Sequence, residues 1–390
     1  MPLFNKQSKI IITCNKRLSA ALEKEVQELG FRIAKTFSTR LELLGSLNDC
    51  IRLNLNLRCA SQVLYSLKSF PCDTPEQLYT LALQMEWETI LKSDGYFSIT
   101  STVDHPTINN SLFANVKLKD AIVDRFRGKY KRRPDSGPNL GQAVIHLFWK
   151  NETAEIFIDT SGETLAKHGY RKIPGKAPML EALAAGTLLS TNWNRLSPFV
   201  NPMCGSGTVA IEAALLATNR RPGLFRTNYS FQHIVGFEED FYEKEKRKLI
   251  DQVCVLPSLK IIATDISPDA FNMSKINAGA AGVDKLIQFA VCDFRETPIP
   301  EGANGVVYFN PEYGERLGEE TELQNIYAAI GDFMKTKCKG YTGYVFTGNL
   351  DLAKKIGLKA RRRTEFYTSK IDCRLLEYEL YQGSKRADKM

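Results

Sequence analysis

The sequence lacks the patterns that would indicate a metal site, a disulfide framework or a membrane span. Its nine cysteines form no C-x-x-C pair, and its four histidines are well separated. Zinc sites and disulfide frameworks depend on close cysteine or histidine pairs, so both are disfavoured. No run of about 18 apolar residues is present, and the apolar stretch near the N-terminus is too short for a signal peptide. We therefore expect a cytoplasmic protein with reduced thiols, no metal and no membrane contact.

The composition is that of a globular protein with a mild basic excess. The 390 residues are 43% hydrophobic and 25% charged, with a formal net charge of +8. This length predicts two or three domains. The net charge is compatible with nucleic-acid binding but does not identify it, so local clustering of charge has to decide.

The pattern of predicted strands and helices changes near residue 160. Residues 9–60 resemble a small α/β unit, in which 50–57 carries strand or mixed signals, and 61–69 has a helical pattern. Residues 160–178 are rich in glycine, proline and basic side chains, which is typical of a junction. Beyond them, strands alternate with helices, and this predicts a parallel, doubly wound sheet. A long charged insert between Arg220 and Lys260 has a helical pattern.

A glycine-rich turn, NPMCGSGT, follows the first predicted strand of that sheet. Gly205 and Gly207 allow the backbone to turn tightly and to approach a ligand, and the following helix offers free N–H groups. A dinucleotide fingerprint would have a third glycine, whereas Gly207 continues into Thr-Val-Ala, which disfavours a dehydrogenase. Taken alone, the turn also fits a plain strand-to-helix connection.

Two aspartates close the next two predicted strands. Asp265 ends KIIATD, where its carboxylate could accept hydrogen bonds from both hydroxyls of a ribose. Asp293 ends QFAVCD, where it could accept one from an adenine amino group. Either residue could instead cap a helix or form a turn. Three such strand ends in succession favour a nucleoside-type cofactor, because open α/β sheets bind ligands at the carboxyl ends of their strands.

The fourth strand end carries the sequence FNPEYG. The exocyclic amine of a nucleobase is a poor nucleophile, because its lone pair is delocalised into the ring. The amide oxygen of Asn310 and the main-chain oxygen of Pro311 could accept hydrogen bonds from such an amine and orient it towards a methyl donor. Tyr313 could stack on the base, a contact worth about 1–3 kcal/mol. A plain turn is the alternative, because N-P and Y-G are common in turns.

Longer segments carry a resemblance to a known family. DTSGETLAKHGYRK, APMLEALAAG, NPMCGSGTVAIEAA, ATDISPDAF and NPEYGERLGEE are similar to the THUMP-containing bacterial 23S rRNA guanine-N2 methyltransferases, which use S-adenosylmethionine. The resemblance implies an α+β region that binds RNA, followed by an α/β, Rossmann-like doubly wound methyltransferase domain. The implied domains are a ferredoxin-like domain at 1–65, a THUMP domain at 66–160, a linker at 161–178 and the methyltransferase domain at 179–390.

The resemblance also assigns roles to particular residues. It implies catalytic roles for Asn310, Pro311 and Tyr313. It implies cofactor binding by Asn201, Pro202, Met203, Gly205, Ser206, Gly207, Thr208, Asp265, Ile266, Asp293 and Phe294.

Two positions depart from the family pattern. Asn201 stands where the family usually has aspartate, which removes a charge that would favour a cationic cofactor. Glu312 stands where the family usually has a second proline. If its side chain points inward, it could attract the sulfonium or compete for the target amine, and if it points outward it does little; we expect the outward orientation.

A basic segment precedes the junction. Residues 117–133 contain eight lysines and arginines against two aspartates, a net charge of +6. Such side chains contact phosphates without reading the base sequence. With the resemblance, this predicts RNA binding by Lys117, Arg125, Lys129, Lys131, Arg132 and Arg133; a solvated helix face is the alternative. A second, weaker basic candidate is 361–363, and the junction residues 168–172 could contact RNA, cover the cofactor or form a simple linker.

The leading hypothesis is therefore methyl transfer to the N2 amine of a guanosine in 23S rRNA or in a large-subunit assembly intermediate. A catalytically impaired protein that binds RNA during ribosome assembly is one alternative, motivated by Asn201 and Glu312. An amino-methyltransferase that acts on tRNA or DNA is another.

Overall fold

The computed structural model describes residues 2–106, 108, 110–175, 178–301, 304–313, 320–368 and 371–381. The chain forms two compact units. The first unit contains Met1–Cys14, Leu22–Ala166 and Pro222–Asp251, and the second contains Asn15–Ala21, Lys167–Arg221 and Gln252–Met390. The charged insert predicted from the sequence is helical over Glu239–Asp251, as expected, and it belongs to the first unit.

The first unit is built on one eight-stranded sheet. Its strands are β1 (Ser8–Cys14), β2 (Ile33–Thr36), β3 (Arg40–Gly45), β4 (Ala60–Pro71), β5 (Tyr96–Asp104), β6 (Asp135–Ser136), β7 (Ala143–Lys150) and β8 (Thr153–Asp159), in the spatial order β2-β3-β1-β4-β8-β7-β5-β6. The helices in this part of the sequence are α1 (Ser19–Glu28), α2 (Leu47–Asn56), α3 (Pro75–Leu83) and α4 (Ser111–Tyr130). β7 and β8 form an antiparallel hairpin, and Asn151 in its turn has a φ of 49°.

Two local predictions in this unit are wrong. Residues 50–57, which carried strand or mixed signals, lie almost entirely in α2, where Ser46 and Asp49 form a reciprocal capping box that starts the helix. Residues 61–69, which had a helical pattern, lie in β4. β4 pairs with β1 over residues 60–65 and with β8 over residues 64–71, so non-local backbone pairing overrides the local helical pattern.

The second unit contains the predicted doubly wound sheet. Its strands are β9 (Phe199–Pro202), β10 (Ile261–Asp265), β11 (Ile287–Val291), β12 (Val306–Phe309), β13 (Thr342–Thr347), β14 (Arg362–Thr368) and β15 (Ile371–Glu379). The remaining helices of the chain are α5 (Glu181–Leu189), α6 (Thr208–Ala217), α7 (Glu239–Asp251), α8 (Pro268–Ala280), α9 (Glu320–Lys337) and α10 (Leu350–Lys355). All of these helices except α7 lie in the second unit.

The strand order of the second sheet is β11-β10-β9-β12-β13-β15-β14. Neighbours from β11 to β13 are parallel, and β15 is antiparallel to both of its neighbours. The chain runs outward from β9 through β10 to β11 and then resumes on the other side of β9 with β12. This reversal is a topological switch point, the place where open α/β sheets bind ligands beyond the carboxyl ends of their strands.

Within the residues that the structure describes, no helix is long and apolar enough to cross a membrane. The same residues contain no group of three or more histidine, cysteine, aspartate or glutamate side chains placed to hold a metal ion.

Candidate active site

The sheet brings the four predicted strand ends to one edge, in adjacent positions. β9 pairs in parallel with β10 on one side and with β12 on the other, and β10 pairs in parallel with β11. The side chain of Asn201 links the middle pair, because its Nδ2 donates a hydrogen bond of 2.9 Å to the main-chain oxygen of Tyr308. The glycine-rich turn after β9 therefore lies beside the Asn-Pro-Glu-Tyr segment after β12.

The glycine-rich turn has a left-handed backbone at three residues. Met203, Gly205 and Gly207 have φ values of 55°, 56° and 82°. A Cβ on Gly207 would lie 2.8 Å from the Cβ of Ser274, so α6 can begin here against α8 only with glycine. A Cβ on Gly205 would meet nothing within 4 Å, so open space lies over the turn at that position.

Asn201 leaves one buried polar atom without a partner. Its side chain is 1% exposed, and its Oδ1 accepts no hydrogen bond from the residues that the structure describes. An unpaired buried acceptor costs about 1–3 kcal/mol, so such atoms are normally satisfied by a water or a ligand. An acceptor at this position suits the amino group of a ligand bound over the turn. The residues present therefore fit a ligand that has an amino-acid end.

Asp265 is part of the turn as well as a candidate ribose ligand. Its Oδ2 accepts a hydrogen bond of 2.9 Å from the Gly205 N–H, and its Oδ1 accepts one of 3.0 Å from the Ser267 N–H. The turn-forming alternative is thus present in the structure. It does not exclude the ribose, because each carboxylate oxygen can accept a second hydrogen bond. Ile266, which follows, is 70% exposed at the same edge and offers an apolar surface to a base.

Asp293 is engaged by its own neighbour. Both oxygens accept hydrogen bonds from the Arg295 guanidinium, at 2.8 and 2.7 Å, and Oδ1 also caps the Arg295 N–H. These bonds hold the pKa of Asp293 below its ordinary value. An adenine bound to the carboxylate of Asp293 would share that carboxylate with the exposed side chain of Arg295. The side chain of Phe294 is buried in the core, with edge-on contacts to Phe309 and Phe333.

The segment after β12 presents the amide side chain of Asn310. No residue that the structure describes hydrogen-bonds the side chain of Asn310, which is partly exposed, whereas Pro311 is buried. Glu312 is exposed, as the outward orientation predicts. Tyr313 is partly buried, and its hydroxyl lies 4.0 Å from the Cys373 sulfur. Burial, followed by the effect of this thiol, raises the pKa of Tyr313.

The junction residues are tied to the glycine-rich turn by Asn277, which the sequence reasoning missed. Asn277 lies on α8, and its Nδ2 donates to the main-chain oxygens of Ser206, at 3.1 Å, and Ile173, at 2.9 Å. Its Oδ1 accepts from the N–H groups of Lys172, at 2.8 Å, and Ile173, at 3.0 Å. Of the three alternatives for the junction, a cover beside the cofactor turn fits these contacts best. In the sequence, the only signal for this role of Asn277 was its polar side chain inside the predicted helix.

Arg171 and His168 reach the turn from the same junction. Arg171 donates to the hydroxyl of Thr208, the first residue of α6, at 3.1 Å, and its Nε lies 3.4 Å from Glu181. His168 is fully buried, with Nδ1 2.7 Å from a carboxylate oxygen of Glu212 on α6. A buried histidine cannot contact RNA, so His168 has a structural position against α6.

In the first unit, the predicted RNA-binding residues divide into paired and exposed groups. Arg125 and Lys129 on α4 both bind the carboxylate of Glu88, with shortest distances of 2.8 and 2.6 Å. The hydrogen bond from Arg125 is the main reason that the pKa of Glu88 is lowered to about 2. Lys117 lies 3.7 Å from Glu76.

Lys131, Arg132 and Arg133 are exposed, and they make no ion pair within the described part of the chain. They form the most available cationic group of the predicted set. In the second unit, the other basic candidate is partly paired: Arg361 lies 3.8 Å from Glu379, and Arg362 lies 2.8 Å from Glu377.

Comparison with known protein families gives three matches along the chain. The RlmL ferredoxin-like domain matches residues 9–64, the THUMP domain matches 72–159, and UPF0020, an RMKL-like methyltransferase domain, matches 168–377. The last match covers more than half of the chain. The chain belongs to the UPF0020 family of methyltransferases. The family, the ferredoxin-like and THUMP domains, and the Rossmann-like methyltransferase fold predicted from the sequence are confirmed; the exact domain boundaries stay predictions.

Relatives and solved structures agree with this assignment. The ribosomal RNA large subunit methyltransferase K/L of Syntrophotalea carbinolica is 33% identical over 95% of this chain and 53% of that protein. The chain spans about half the length of the curated relatives it matches. SMU.472, solved in complex with SAH, is 25% identical with a TM-score of 0.87 and covers 97% of this chain and 100% of its own. A predicted N6-adenine-specific DNA methylase from Listeria monocytogenes is 29% identical with a TM-score of 0.84, over 96% of this chain and 97% of its own.

Proposed function

We propose that this protein transfers a methyl group from S-adenosylmethionine to the exocyclic N2 amine of a guanosine in 23S rRNA. The observation that carries the proposal is the adjacency of β9 and β12, joined by the Asn201–Tyr308 hydrogen bond. It sets the glycine-rich turn beside a partly exposed Asn310 amide. Transfer of a methyl group requires a donor and an acceptor held in such positions.

The residues at the strand ends fit the cofactor. The buried Oδ1 of Asn201 would accept a hydrogen bond from the methionine amino group, and the open space at Gly205 would admit the methionine end. Asp265 would accept hydrogen bonds from the ribose, and the exposed Ile266 would pack against adenine. When bound, the cofactor supplies an activated methyl group on a sulfonium. SMU.472, which is similar to this chain, was solved in complex with SAH, the product that remains after methyl transfer. This complex supports the assignment.

The Asn-Pro-Glu-Tyr segment would bind the target base. The Asn310 amide oxygen and the Pro311 main-chain oxygen would accept the two N–H groups of the amine, which turns its lone pair towards the donor. Tyr313 would stack on the base. Orientation is the main contribution of the protein in this scheme, and the methylated amine can lose its proton to solvent.

The first unit would bind the RNA. The THUMP match and the exposed Lys131, Arg132 and Arg133 support this role, because such cations contact phosphates. The relatives named as large subunit methyltransferases support 23S rRNA, or a large-subunit assembly intermediate in the cytoplasm, as the substrate. The exposed Glu312 removes one of the two reasons for a catalytically impaired protein.

The test is methyl transfer from labelled S-adenosylmethionine to 23S rRNA from cells that lack this gene. Wild-type protein should place label in N2-methylguanosine, identified by nucleoside analysis. Asn310→Ala should lose transfer while calorimetry shows that it still binds the cofactor. No label above the Asn310→Ala level would contradict the proposal, and label found only in tRNA, in DNA or on adenine would assign the substrate differently.

A further inference from the structure

Gly348 lies against the proposed base-stacking residue. It follows β13, the neighbour of β12 in the sheet. A Cβ on Gly348 would lie 3.0 Å from both Cδ2 and Cε2 of the Tyr313 ring and 2.6 Å from Cγ2 of Ile371. Separations this short mean that any side chain here displaces one of its neighbours.

Glycine at this position is required for space and not for backbone conformation. The φ of Gly348 lies outside the left-handed region. Alanine could therefore adopt the same backbone, and its closest conflicts would be with the side chains of Tyr313 and Ile371.

The backbone around Gly348 cannot easily retreat from the ring. The hydroxyl of Thr347 shares a hydrogen bond of 2.8 Å with the Tyr327 hydroxyl and accepts one of 3.0 Å from the Asn349 N–H. The Asn349 side chain in turn accepts from two N–H groups at the start of α10. The turn is thus held on both sides of Gly348, so an added methyl group would displace the side chains of Ile371 and Tyr313 and not the main chain.

A second contact limits where the ring can go. The Tyr313 hydroxyl lies 4.0 Å from the sulfur of Cys373, a fully buried residue on β15. The ring is therefore bounded by Gly348 along the Cδ2–Cε2 side and by Cys373 at the hydroxyl. A methyl group at 348 would push the ring away from its Cδ2–Cε2 edge, and the contact at the hydroxyl limits how the ring can turn in response.

We propose that Gly348 is a positioning residue that sets the place of the Tyr313 ring, and through it the depth at which the target base is held. This inference rests on the proposed function. A shift of a few tenths of an ångström in the stacking surface misplaces the amine relative to the methyl donor, and misplacement of reacting groups lowers the rate without removing the cofactor site.

The experiment uses the full chain with an Ile371→Ala background. That change removes the closest overlap, at 2.6 Å, so that Gly348→Ala tests the contact with Tyr313 alone and the variant can fold. Single-turnover methyl transfer to saturating RNA should fall about ten-fold or more on Gly348→Ala. The affinity for S-adenosylmethionine should stay within about two-fold. Gly279→Ala is the matched control, because a Cβ there meets nothing within 4 Å.

A double-mutant cycle separates action through Tyr313 from general damage. In a Tyr313→Ala background, Gly348→Ala should change the rate by less than about two-fold, because the displaced group is gone. Equal loss with and without the tyrosine ring, or no loss with the ring present, overturns the inference.

The position of the Tyr313 ring can also be measured without an activity assay. Fluorotyrosine placed at position 313 should change its ¹⁹F chemical shift on Gly348→Ala and keep it on Gly279→Ala. If the parent protein transfers no methyl group, the proposed function fails, and the ¹⁹F shift still decides whether Gly348 sets the ring. An unchanged shift overturns the inference.

Discussion

The amide of Asn277 provides the sharpest test of how the cofactor turn is held. Asn277 is 1% exposed, and its side chain makes four hydrogen bonds with backbone atoms of the junction and of the glycine-rich turn. Asn277→Asp keeps the shape of the side chain but replaces its donor with an acceptor. The new carboxylate would face the main-chain oxygens of Ser206 and Ile173, which cannot donate.

The size of the effect follows from those contacts. The hydrogen bonds to Ser206 and Ile173 are lost, each worth about 0.5–1.5 kcal/mol net, and the new carboxylate oxygen is a buried acceptor without a donor, at about 1–3 kcal/mol. The sum is about 2–6 kcal/mol, part of which appears as lost stability and part as a displaced Ser206. Because 1.4 kcal/mol corresponds to about ten-fold in affinity, we expect the dissociation constant for S-adenosylmethionine to rise at least ten-fold.

The assay is calorimetric titration with S-adenosylmethionine, together with thermal unfolding. Asn54→Asp is the matched control, because Asn54 is also 1% exposed and its Nδ2 donates to the Cys50 main-chain oxygen and the Thr160 hydroxyl in the first unit, both at 2.8 Å. It should lose stability and keep its affinity. The Asn277→Asp defect should shrink at low pH, where a protonated carboxyl group donates again. Unchanged affinity in Asn277→Asp, or an equal loss in Asn54→Asp, would refute the reasoning.

Three further predictions concern the RNA surface, an ion pair and the stacking residue. Alanine at Lys131, Arg132 and Arg133 together should weaken RNA binding and reduce the slope of log affinity against log salt by about 2–3, measured by titration at several salt concentrations; an unchanged slope would show that these side chains contact no phosphate. Glu88 has its pKa lowered from 4.5 to about 2, so its stabilising contribution is present above pH 4.5 and is lost as the pH falls towards 2. The difference in melting temperature between wild type and Glu88→Gln should therefore shrink over that range, and a constant difference would contradict the ion-pair explanation. Tyr313→Phe should keep methyl transfer within about two-fold, whereas Tyr313→Ala should lose the stacking energy of about 1–3 kcal/mol; equal loss in both would indicate a chemical role for the hydroxyl.

The elements that carry the candidate site were predictable because their signals are local. A glycine at a left-handed φ, an aspartate at a strand end and the Asn-Pro-Glu-Tyr segment each stand next to an apolar strand in the sequence. The strand-helix alternation then implies a parallel sheet, and a parallel sheet collects the carboxyl ends of its strands at one edge. The strands β14 and β15 were missed: β15 joins the sheet by pairing with β13, a segment distant in sequence, and β14 is added to the outer side of β15.

The sequence by itself determined the family, the fold of the methyltransferase domain and the order of motifs along the chain, because spacing and residue type are enough for these. Only the tertiary structure decided which partners each side chain meets. It paired Arg125 with Glu88, tied the turn to the junction through Asn277 and placed Gly348 against Tyr313. The physical reason is that such contacts depend on strand register and helix packing between distant segments, which no local pattern encodes.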